Sequence, residues 1–465
     1  MKAQPKASAP ISASRFQTVF AAAFGAFLGL CLLKFGNPPI MEMFVTPPGN
    51  GYEFVLGYPW PINWAYWLLT IVCVAGLFAA RGAKSGVPKW LALLPLAWLI
   101  WEIVASTQSM DGQLTWPTLK HFAACVACFY VGLFSLGGLR SLSHLSPGLF
   151  AGFLLVLAFG FEQHFGGLAE MRHYFYTYQY QDLGKMPPEY LKKLATNRIW
   201  STLFYPNTLA GAILLFLPPL AGIIATARKR FTAPARWFLV GAIAIAALAC
   251  LFWSGSKGGW LLMLLLGLMV LLRFPLGKRF RLGLITIILA GGLAGFFLTY
   301  SAYFKKGATS LGARFDYWRA AMQTTIEHPI VGTGPGTFAH PYARLKSPES
   351  EMARLVHNDY LQQASDSGVP GFLLYTTFIA AALVRTFPKK FPLNRDLNPG
   401  LWDYSNWRIF TIWLGVFGWA LQSLFDFGFY IPALAWPAFA FLGFLLSNHV
   451  SESLPQSENQ SAQSR

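Results

Sequence analysis

The sequence predicts an all-α polytopic membrane protein with about twelve transmembrane helices. Of its 465 residues 55% are hydrophobic and only 12% are charged, and the mean hydropathy is +0.44. Apolar stretches with almost no charge, such as residues 237–252 and 282–298, recur along the chain. Each is about long enough to cross a hydrocarbon layer of roughly 30 Å once it is tilted or slightly extended. A soluble globular protein would not carry so many of them.

The charge of the loops predicts how these apolar segments are oriented. The formal net charge of +17 is concentrated in alternate short loops. Because positively charged loops stay in the cytoplasm, we expect both termini to be cytoplasmic and the longer loops to be exported. The basic charge therefore indicates topology rather than binding to nucleic acid. The predicted spans lie near residues 16–33, 63–80, 90–105, 119–138, 147–162, 206–227, 237–253, 259–272, 282–300, 369–384, 407–425 and 431–447.

The predicted organisation is a single transmembrane bundle between two polar tails. Residues 1–15 form a cytoplasmic tail, residues 16–447 form the bundle, and residues 448–465 form a disordered cytoplasmic tail. No convincing cleavage site follows the first apolar stretch, so we expect an uncleaved first span. The five cysteines lie in apolar stretches and are odd in number, which favours packing over a disulfide framework or a metal site.

Two exported loops are long, at about residues 163–205 and 301–368. The first is crowded with Tyr and Trp, whose rings favour the depth of the lipid headgroups. In the second, residues 312–327 have the pattern of a short amphipathic helix that ends at His328, before a proline. A membrane protein has no structural need for so polar and charged a loop, so we expect its chemistry there.

The rest of this second loop predicts a turn and another short helix. Residues 332–336 (GTGPG) mimic a phosphate loop but lack a preceding strand and a Lys-Ser/Thr pair, so we expect a tight turn. Ser347 is a good N-cap and a proline follows it, whereas Gly368 stands just before the next span. A helix between these two residues would present Arg354 and His357 on one face.

Several motifs together resemble one known family. The second loop contains RFDYWRAAMQTTIEHPIVGTGPGTF and HNDYLQQASDSGVPG; WSGSKGG and RIWSTLFYPNTLAG lie upstream, and QSLFDFGFYIPALAW follows. These stretches are similar to the signature of the O-antigen ligase and polymerase superfamily of bacterial envelope glycosyltransferases. The resemblance runs from about Arg198 to the end of the last span. It is specific for the superfamily rather than for one member, and it also implies twelve spans with both termini inside.

The resemblance implies a metal-independent, inverting glycosyltransferase of the bacterial inner membrane that uses no cofactor. Such an enzyme moves a glycan from an undecaprenyl-pyrophosphate carrier to an acceptor hydroxyl on the periplasmic side. The expected partners are a lipid-linked oligosaccharide donor, lipid A core or another hydroxyl acceptor, and the lipid bilayer. No Asp-x-Asp pair occurs in the exported loops, which agrees with a reaction that relies on protein cations.

The resemblance assigns one base and three cations to this sequence. His357 is the candidate general base, because an imidazole titrates near neutral pH. Arg314, Lys257 and Arg198 are the candidate pyrophosphate-binding residues, because fixed cations stabilise the charge that develops on a departing phosphate group. Lys257 stands where the family usually has Arg, so a compact ammonium group replaces a planar guanidinium. For all three cations, anchoring at the headgroups or a purely structural position is the alternative.

Two more residues are expected to support the site. Asn358 directly follows the candidate base, and Asp366 stands where the family often has Glu and would orient a neighbour. In the closing motif, Gln422 replaces the usual His, and Asp426 receives no role.

The choice within the superfamily stays open. We expect O-antigen ligation to lipid A core, a step of lipopolysaccharide biosynthesis, with polymerisation of O-antigen or exopolysaccharide and protein O-oligosaccharyl transfer as alternatives. A solute transporter is the alternative from another class, and it would need charged or broken helices at mid-membrane. Mid-span positions here are nearly all apolar, which favours the enzyme. A non-catalytic envelope scaffold would not need the His, Arg and Lys set.

Overall fold

The part of the chain that the structure describes is predominantly helical. This computed structural model describes residues 15–57, 59–80, 86–137, 142–174, 176–177, 195–274, 276–305, 309–348, 350–388 and 404–453. Within these residues there is no β-strand, which confirms the all-α prediction. Their α-helices, in chain order, are α1 (Arg15–Lys34), α2 (Ile62–Ala79), α3 (Lys89–Ser106), α4 (Gly112–Tyr130), α5 (Ser146–Glu162), α6 (Leu168–Tyr174), α7 (Pro206–Ala225), α8 (Ala233–Ser254), α9 (Lys257–Arg273), α10 (Lys278–Lys305), α11 (Thr309–Glu327), α12 (Ala339–Leu345), α13 (Asp359–Thr386), α14 (Tyr404–Gln422) and α15 (Pro432–Ser453).

Some predictions concern residues outside this description. They are the N-terminal tail up to residue 14, the C-terminal tail from residue 454, and residues 178–194 of the first exported loop. The predicted cytoplasmic residues Arg81, Lys84, Arg140, Lys389, Lys390 and Arg395 lie outside it as well. Helix α15 itself continues to Ser453, past the end predicted for the last span.

Nine helices in the described residues are long and apolar enough to cross a membrane. They are α1, α2, α3, α4 with its continuation to Ser135, α5 with its continuation to Tyr174, α7, α8, α10 up to Ser301, and α13. The prediction of a polytopic helical membrane protein is therefore confirmed. A count of twelve requires α9, α14 and α15 to span as well, and that count stays a prediction.

Close helix contacts in the bundle depend on small residues. A side chain at Gly132, just after α4, would place its Cβ 2.1 Å from the carbonyl oxygen of Ala440 in α15. A Cβ at Gly443 would lie equally close, at 2.1 Å, to the carbonyl oxygen of Phe129. The two helices therefore meet backbone to backbone, as is common where lipid provides no hydrophobic drive between helices.

The loop between α10 and α13 agrees with the sequence prediction in its first half and differs in its second. Helix α11 ends at Glu327, as expected from the following His-Pro pair. The helix predicted between Ser347 and Gly368 begins only at Asp359, because the described residues between α12 and α13 are not helical. Asn358 is the residue that caps α13, since its side-chain oxygen accepts from the backbone N–H groups of residues 360 and 361. His357 precedes this cap with a φ of +54°, so it cannot share a helical face with Arg354.

This loop carries a small core of its own and docks on a break in α13. Tyr317, Ala321, Phe338 and Tyr342 belong to a buried cluster that is separate from the bundle core. Helix α13 loses helical geometry at Ser367 and Gly368 and then continues to its end. The break was expected at this glycine, but the helix resumes beyond it.

Candidate active site

The candidate base and the three candidate cations converge at one end of the bundle. Electrostatic interactions connect Lys257 with both Arg198 and Arg314, and connect Arg198 with Arg314. Both arginines also interact with the carboxylate of Asp426, which in turn faces His357. Residues more than a hundred positions apart in the sequence thus form one cluster, and their chemical roles stay predictions.

His357 is held by its backbone and by two aromatic rings. The indole N–H of Trp318 donates to its carbonyl oxygen at 3.4 Å. Its imidazole stacks on the ring of Tyr317, with centroids 5.7 Å apart, and meets the edge of Phe427 at 4.7 Å. These contacts and the Asn358 cap fix a strained residue with positive φ, an arrangement found mostly at functional sites.

The imidazole is directed at a carboxylate. Nδ1 of His357 lies 3.4 Å from Oδ1 of Asp426, which is ion-pair distance and longer than a short hydrogen bond. Catalytic contacts of this kind often tighten only when substrate is bound. With Nδ1 facing the carboxylate, Nε2 is the ring nitrogen that remains to accept a proton.

Asp426 is buried yet stays ionised. Burial alone would raise the pKa of Asp426, but the imidazole of His357, the guanidinium of Arg314 and the N–H of Phe427 outweigh it and hold the pKa below its ordinary value. The N–H of Phe427 donates to Oδ1 at 3.0 Å. The site therefore contains a fixed negative charge behind the imidazole.

Arg314 and Asp426 are joined through one short segment after α14. The guanidinium Nε of Arg314 donates to the carbonyl oxygen of Phe425 at 3.0 Å. The ring of Phe425 in turn fills the space beside Gly258, where a Cβ would lie 2.4 Å from it. Residues 425–427 thus contact the loop that carries the base on one side and the start of α9 on the other.

Lys257 and Arg198 are placed by the turn between α8 and α9. Gly255 adopts a φ of +60° and ends α8, and a Cβ there would lie 3.2 Å from Nε of Arg198. That Nε donates to the carbonyl oxygen of Ser254 at 2.7 Å. Nζ of Lys257, at the first residue of α9, lies 4.9 Å from the centre of the Tyr300 ring. The glycine-rich motif SGSKGG therefore packs two cations side by side.

Asn207 and Gln422 hold Arg198 from the opposite side. An Nη of Arg198 donates to Oδ1 of Asn207 at 3.1 Å. Nε2 of Gln422, the residue that replaces the family's usual His, donates to the carbonyl oxygen of Asn207 at 2.7 Å. Gln422 is therefore placed to position Arg198 through Asn207.

Asp366 lies behind the cluster rather than in it. Its Oδ2 accepts from the N–H of Gly336 at 2.8 Å and from Nε2 of Gln362 at 2.9 Å. Oε1 of Gln362 accepts from the N–H of Val356 at 2.7 Å, next to the candidate base. Asp366 thus joins the GTGPG turn to the segment that carries His357, and its supporting role stays a prediction.

Sequence reasoning missed Asp426 as a member of the site. It matches the acidic position of the closing motif, but an acid after an apolar segment could equally be a boundary residue. The available signal was its position between two Phe residues immediately beyond α14, at the same end of the bundle as the second loop.

Comparisons with known proteins point to one family for part of the chain. Residues 242–376 match the model of a family described as O-antigen ligase. This segment contains Lys257, Arg314 and His357, whereas Arg198 and Asp426 lie outside it.

Two curated proteins are similar to part of the chain. An uncharacterized protein of Haemophilus influenzae is 32% identical over 143 residues, which cover 26% of this chain and 36% of that protein. The chloroplastic cationic amino acid transporter 7 of Arabidopsis thaliana is 29% identical over 171 residues, which cover 34% of this chain and 29% of the transporter. The chain thus spans about a third of the length of each of these relatives.

Proposed function

We propose that this chain, which belongs to the O-antigen ligase and polymerase superfamily, is a glycosyltransferase of a bacterial inner membrane. It would transfer a glycan from an undecaprenyl-pyrophosphate carrier to an acceptor hydroxyl on the periplasmic side. The acceptor that we propose is lipid A core, so that the reaction is O-antigen ligation. The observation that carries the proposal is an imidazole, backed by a buried carboxylate, beside three cations.

In the proposed displacement reaction, the base acts on the attacking hydroxyl and the cations act on the departing diphosphate. Nε2 of His357 accepts the proton of the acceptor hydroxyl as its oxygen attacks the anomeric carbon of the glycan. The bond from that carbon to the pyrophosphate oxygen breaks with its electron pair, and attack from the opposite face inverts the carbon. Asp426 stabilises the imidazolium that forms, in the way a buried acid supports a catalytic histidine.

The cations bind the departing diphosphate. Arg314 and Arg198 can offer planar, charge-assisted hydrogen bonds to phosphate oxygens, whereas Lys257 supplies a compact charge. Three positive groups that repel one another are held together here by packing, so an anion that enters relieves the repulsion. The arrangement favours a diphosphate, which carries two negative charges in the donor and gains a third as its bond to the glycan breaks, over a neutral sugar as the species bound at this end.

The test is glycan transfer by the full-length protein in proteoliposomes. The donor is a glycan linked to a lipid pyrophosphate. The variants are His357→Ala, Arg314→Ala and Lys257→Ala. His328→Ala, in the same loop, is the matched histidine control. We expect His357→Ala to lose transfer and His328→Ala to retain it. Full transfer by a folded His357→Ala protein would overturn the mechanism.

The acceptor is tested in the same vesicles. Lipid A core, a second carrier-linked glycan unit and a periplasmic protein are supplied in parallel with one donor. Product on lipid A core supports ligation, whereas longer carrier-linked chains or glycosylated Ser/Thr would assign the protein to one of the other two activities of the superfamily.

A carrier for cationic solutes is the second candidate, because of the similarity to the cationic amino acid transporter. Buried acids inside helices also favour it: Glu102 of α3 is buried and accepts from the hydroxyl of Ser367 at 2.7 Å. Glu102 lies within a predicted span, where we expect nearly all positions to be apolar from the sequence. Uptake of labelled arginine or lysine by proteoliposomes, lost on Glu102→Gln, would support the carrier; no uptake with intact glycan transfer would exclude it.

A further inference from the structure

Helix α11 carries an exposed stripe of large apolar side chains. Its members are spaced by four, seven and four residues, which places them on one face of an α-helix. All four are large and exposed, and the most exposed is 78% accessible. The stripe consists of Leu311, Phe315, Met322 and Ile326.

The stripe lies between a polar face and the face that contacts the site. On one side of it are the polar residues Asp316, Gln323 and Glu327, which are partly or fully exposed. On the other side are Arg314 and Trp318, which bind residues of the candidate active site. The opposite face packs against α12 and α13. The stripe thus points sideways, at the boundary between the water-facing and bundle-facing sides of the helix.

Both ends of α11 lie next to candidate membrane spans. Helix α10 ends at Lys305, and only three residues separate it from the start of α11. At the other end, the carbonyl oxygen of Pro329 accepts from the N–H of Val369 at 2.9 Å, just beyond the break in α13. A helix of 19 residues is about 28 Å long. Helix α11 therefore connects two places where apolar spans begin or end.

The stripe is continuous with the outer surface of α13. Ile330, three residues after the end of α11, is 64% exposed and lies against the backbone of Gly368. Val369 and Leu373 follow on the exposed side of α13, a helix that is long and apolar enough to span the membrane. An apolar surface of this extent is not expected to face water. Since its continuation lies on the exposed apolar side of a candidate span, lipid is the occupant that fits the stripe.

We propose that α11 lies in the interface of the bilayer, with its stripe inserted at the boundary between headgroups and acyl chains. The partner is therefore the lipid surface itself, recognised through Leu311, Phe315, Met322 and Ile326. Arg319 adjoins the stripe on its polar side and is well placed for headgroup phosphates, as in other interfacial helices. If the proposed function is right, this depth also brings Arg314 to the level at which the carrier lipid's pyrophosphate sits.

The experiment measures depth with spin labels on the full-length protein in liposomes of phosphatidylethanolamine and phosphatidylglycerol. Labels are attached at Met322→Cys and Ile326→Cys, and at the matched polar-face controls Gln323→Cys and Glu327→Cys. The unsubstituted chain, treated with the same reagent, measures the background from native cysteines. We expect the ratio of oxygen to nickel-chelate accessibility to be several-fold higher at 322 and 326 than at 323 and 327, because oxygen concentrates in lipid.

Two results would overturn the proposal. High accessibility to the nickel chelate at all four positions would place the stripe in water. Protection of 322 and 326 from both reagents, together with dipolar coupling between labels of two molecules, would assign the stripe to contact between copies of the chain. The proposed function can fail on its own: if the protein transferred no glycan, the function would be refuted, but the label depths expected here would not change.

Discussion

The pairing of His357 with Asp426 yields the sharpest prediction. Asp426→Asn keeps the size of the side chain and removes a negative charge whose Oδ1 lies 3.4 Å from the imidazole Nδ1. Attraction between an imidazolium and this carboxylate is about 5 kcal/mol at an effective dielectric constant of ~20, and partial exposure of the imidazole reduces it to about 2–3 kcal/mol. Since ~1.4 kcal/mol is a factor of ten in rate, we expect kcat to fall about 30- to 160-fold.

The assay is single-turnover and steady-state glycan transfer in proteoliposomes, with donor and acceptor varied separately. The larger change should be in kcat, because Asp426 lies at ion-pair distance from the base and is joined to Arg314 and Arg198 by electrostatic interaction. His357→Ala should reduce kcat by about 10²- to 10⁴-fold, the usual contribution of a general base. The double variant should be no slower than His357→Ala alone, because the carboxylate acts through the imidazole.

A second His-Asp pair in the protein supplies the control. Nε2 of His340 lies 3.0 Å from Oδ2 of Asp111, and Asp111 caps α4. Asn is as good an N-cap as Asp, so Asp111→Asn should leave both fold and rate intact. The reasoning is refuted if Asp426→Asn keeps at least half of the wild-type kcat, or if the control variant is slowed to the same degree.

Three other predictions follow from the cluster. Lys257→Ala should reduce kcat about 10- to 150-fold, the value of a hydrogen bond to a charged group, whereas Lys257→Arg should restore most of the rate in the same transfer assay. Because the pKa of Asp426 is held below its ordinary value, its ionised form stabilises the fold above about pH 4, and this stabilisation is lost as pH falls further. The difference in Tm between the wild type and Asp426→Asn should therefore shrink below that pH, and a constant difference would contradict the ion pair. Gly255→Ala should destabilise the fold by about 1–2 kcal/mol, because a non-glycine residue is strained at positive φ, and its new methyl group should displace Arg198. The control Gly267→Ala, whose methyl group would enter open space, should neither destabilise the fold nor displace Arg198. Thermal unfolding of both variants measures the difference in stability.

The sequence was sufficient to name four of the five residues that converge, all but Asp426, but not to bring them together. Arg314 and His357 were recognisable from motif resemblance, and Lys257 from its glycine-rich surroundings. Their convergence depends on where α9 and α11 meet the segment after α14, and no local pattern encodes contacts over such separations. Motif resemblance thus substituted for the missing tertiary information.

The misplaced helix shows where local signals compete. Ser347 followed by Pro348 has the composition of a helix start, and so does Asn358 ahead of Asp359. The structure uses only the second, and the hydroxyl of Ser350 instead donates to Oδ2 of Asp316 at 2.8 Å. A side-chain contact across the loop outweighs a helix cap that has no apolar face to bury.

The position of the loop relative to the bundle decides whether a complete site exists. Lys257 is the first residue of α9 and Arg198 contacts the turn before it, whereas Arg314 and His357 belong to the loop between α10 and α13. The two halves meet only if the loop stays docked on α13, where the N–H of Gly336 donates to Asp366 and the N–H of Val356 donates to Gln362. The glycines of the GTGPG turn all have positive φ, and a Cβ at Gly332 would lie 2.4 Å from the backbone of Asp366. We therefore expect the tight turn to support the proposed site, because its contacts with α13 help to hold the candidate base opposite the candidate cations.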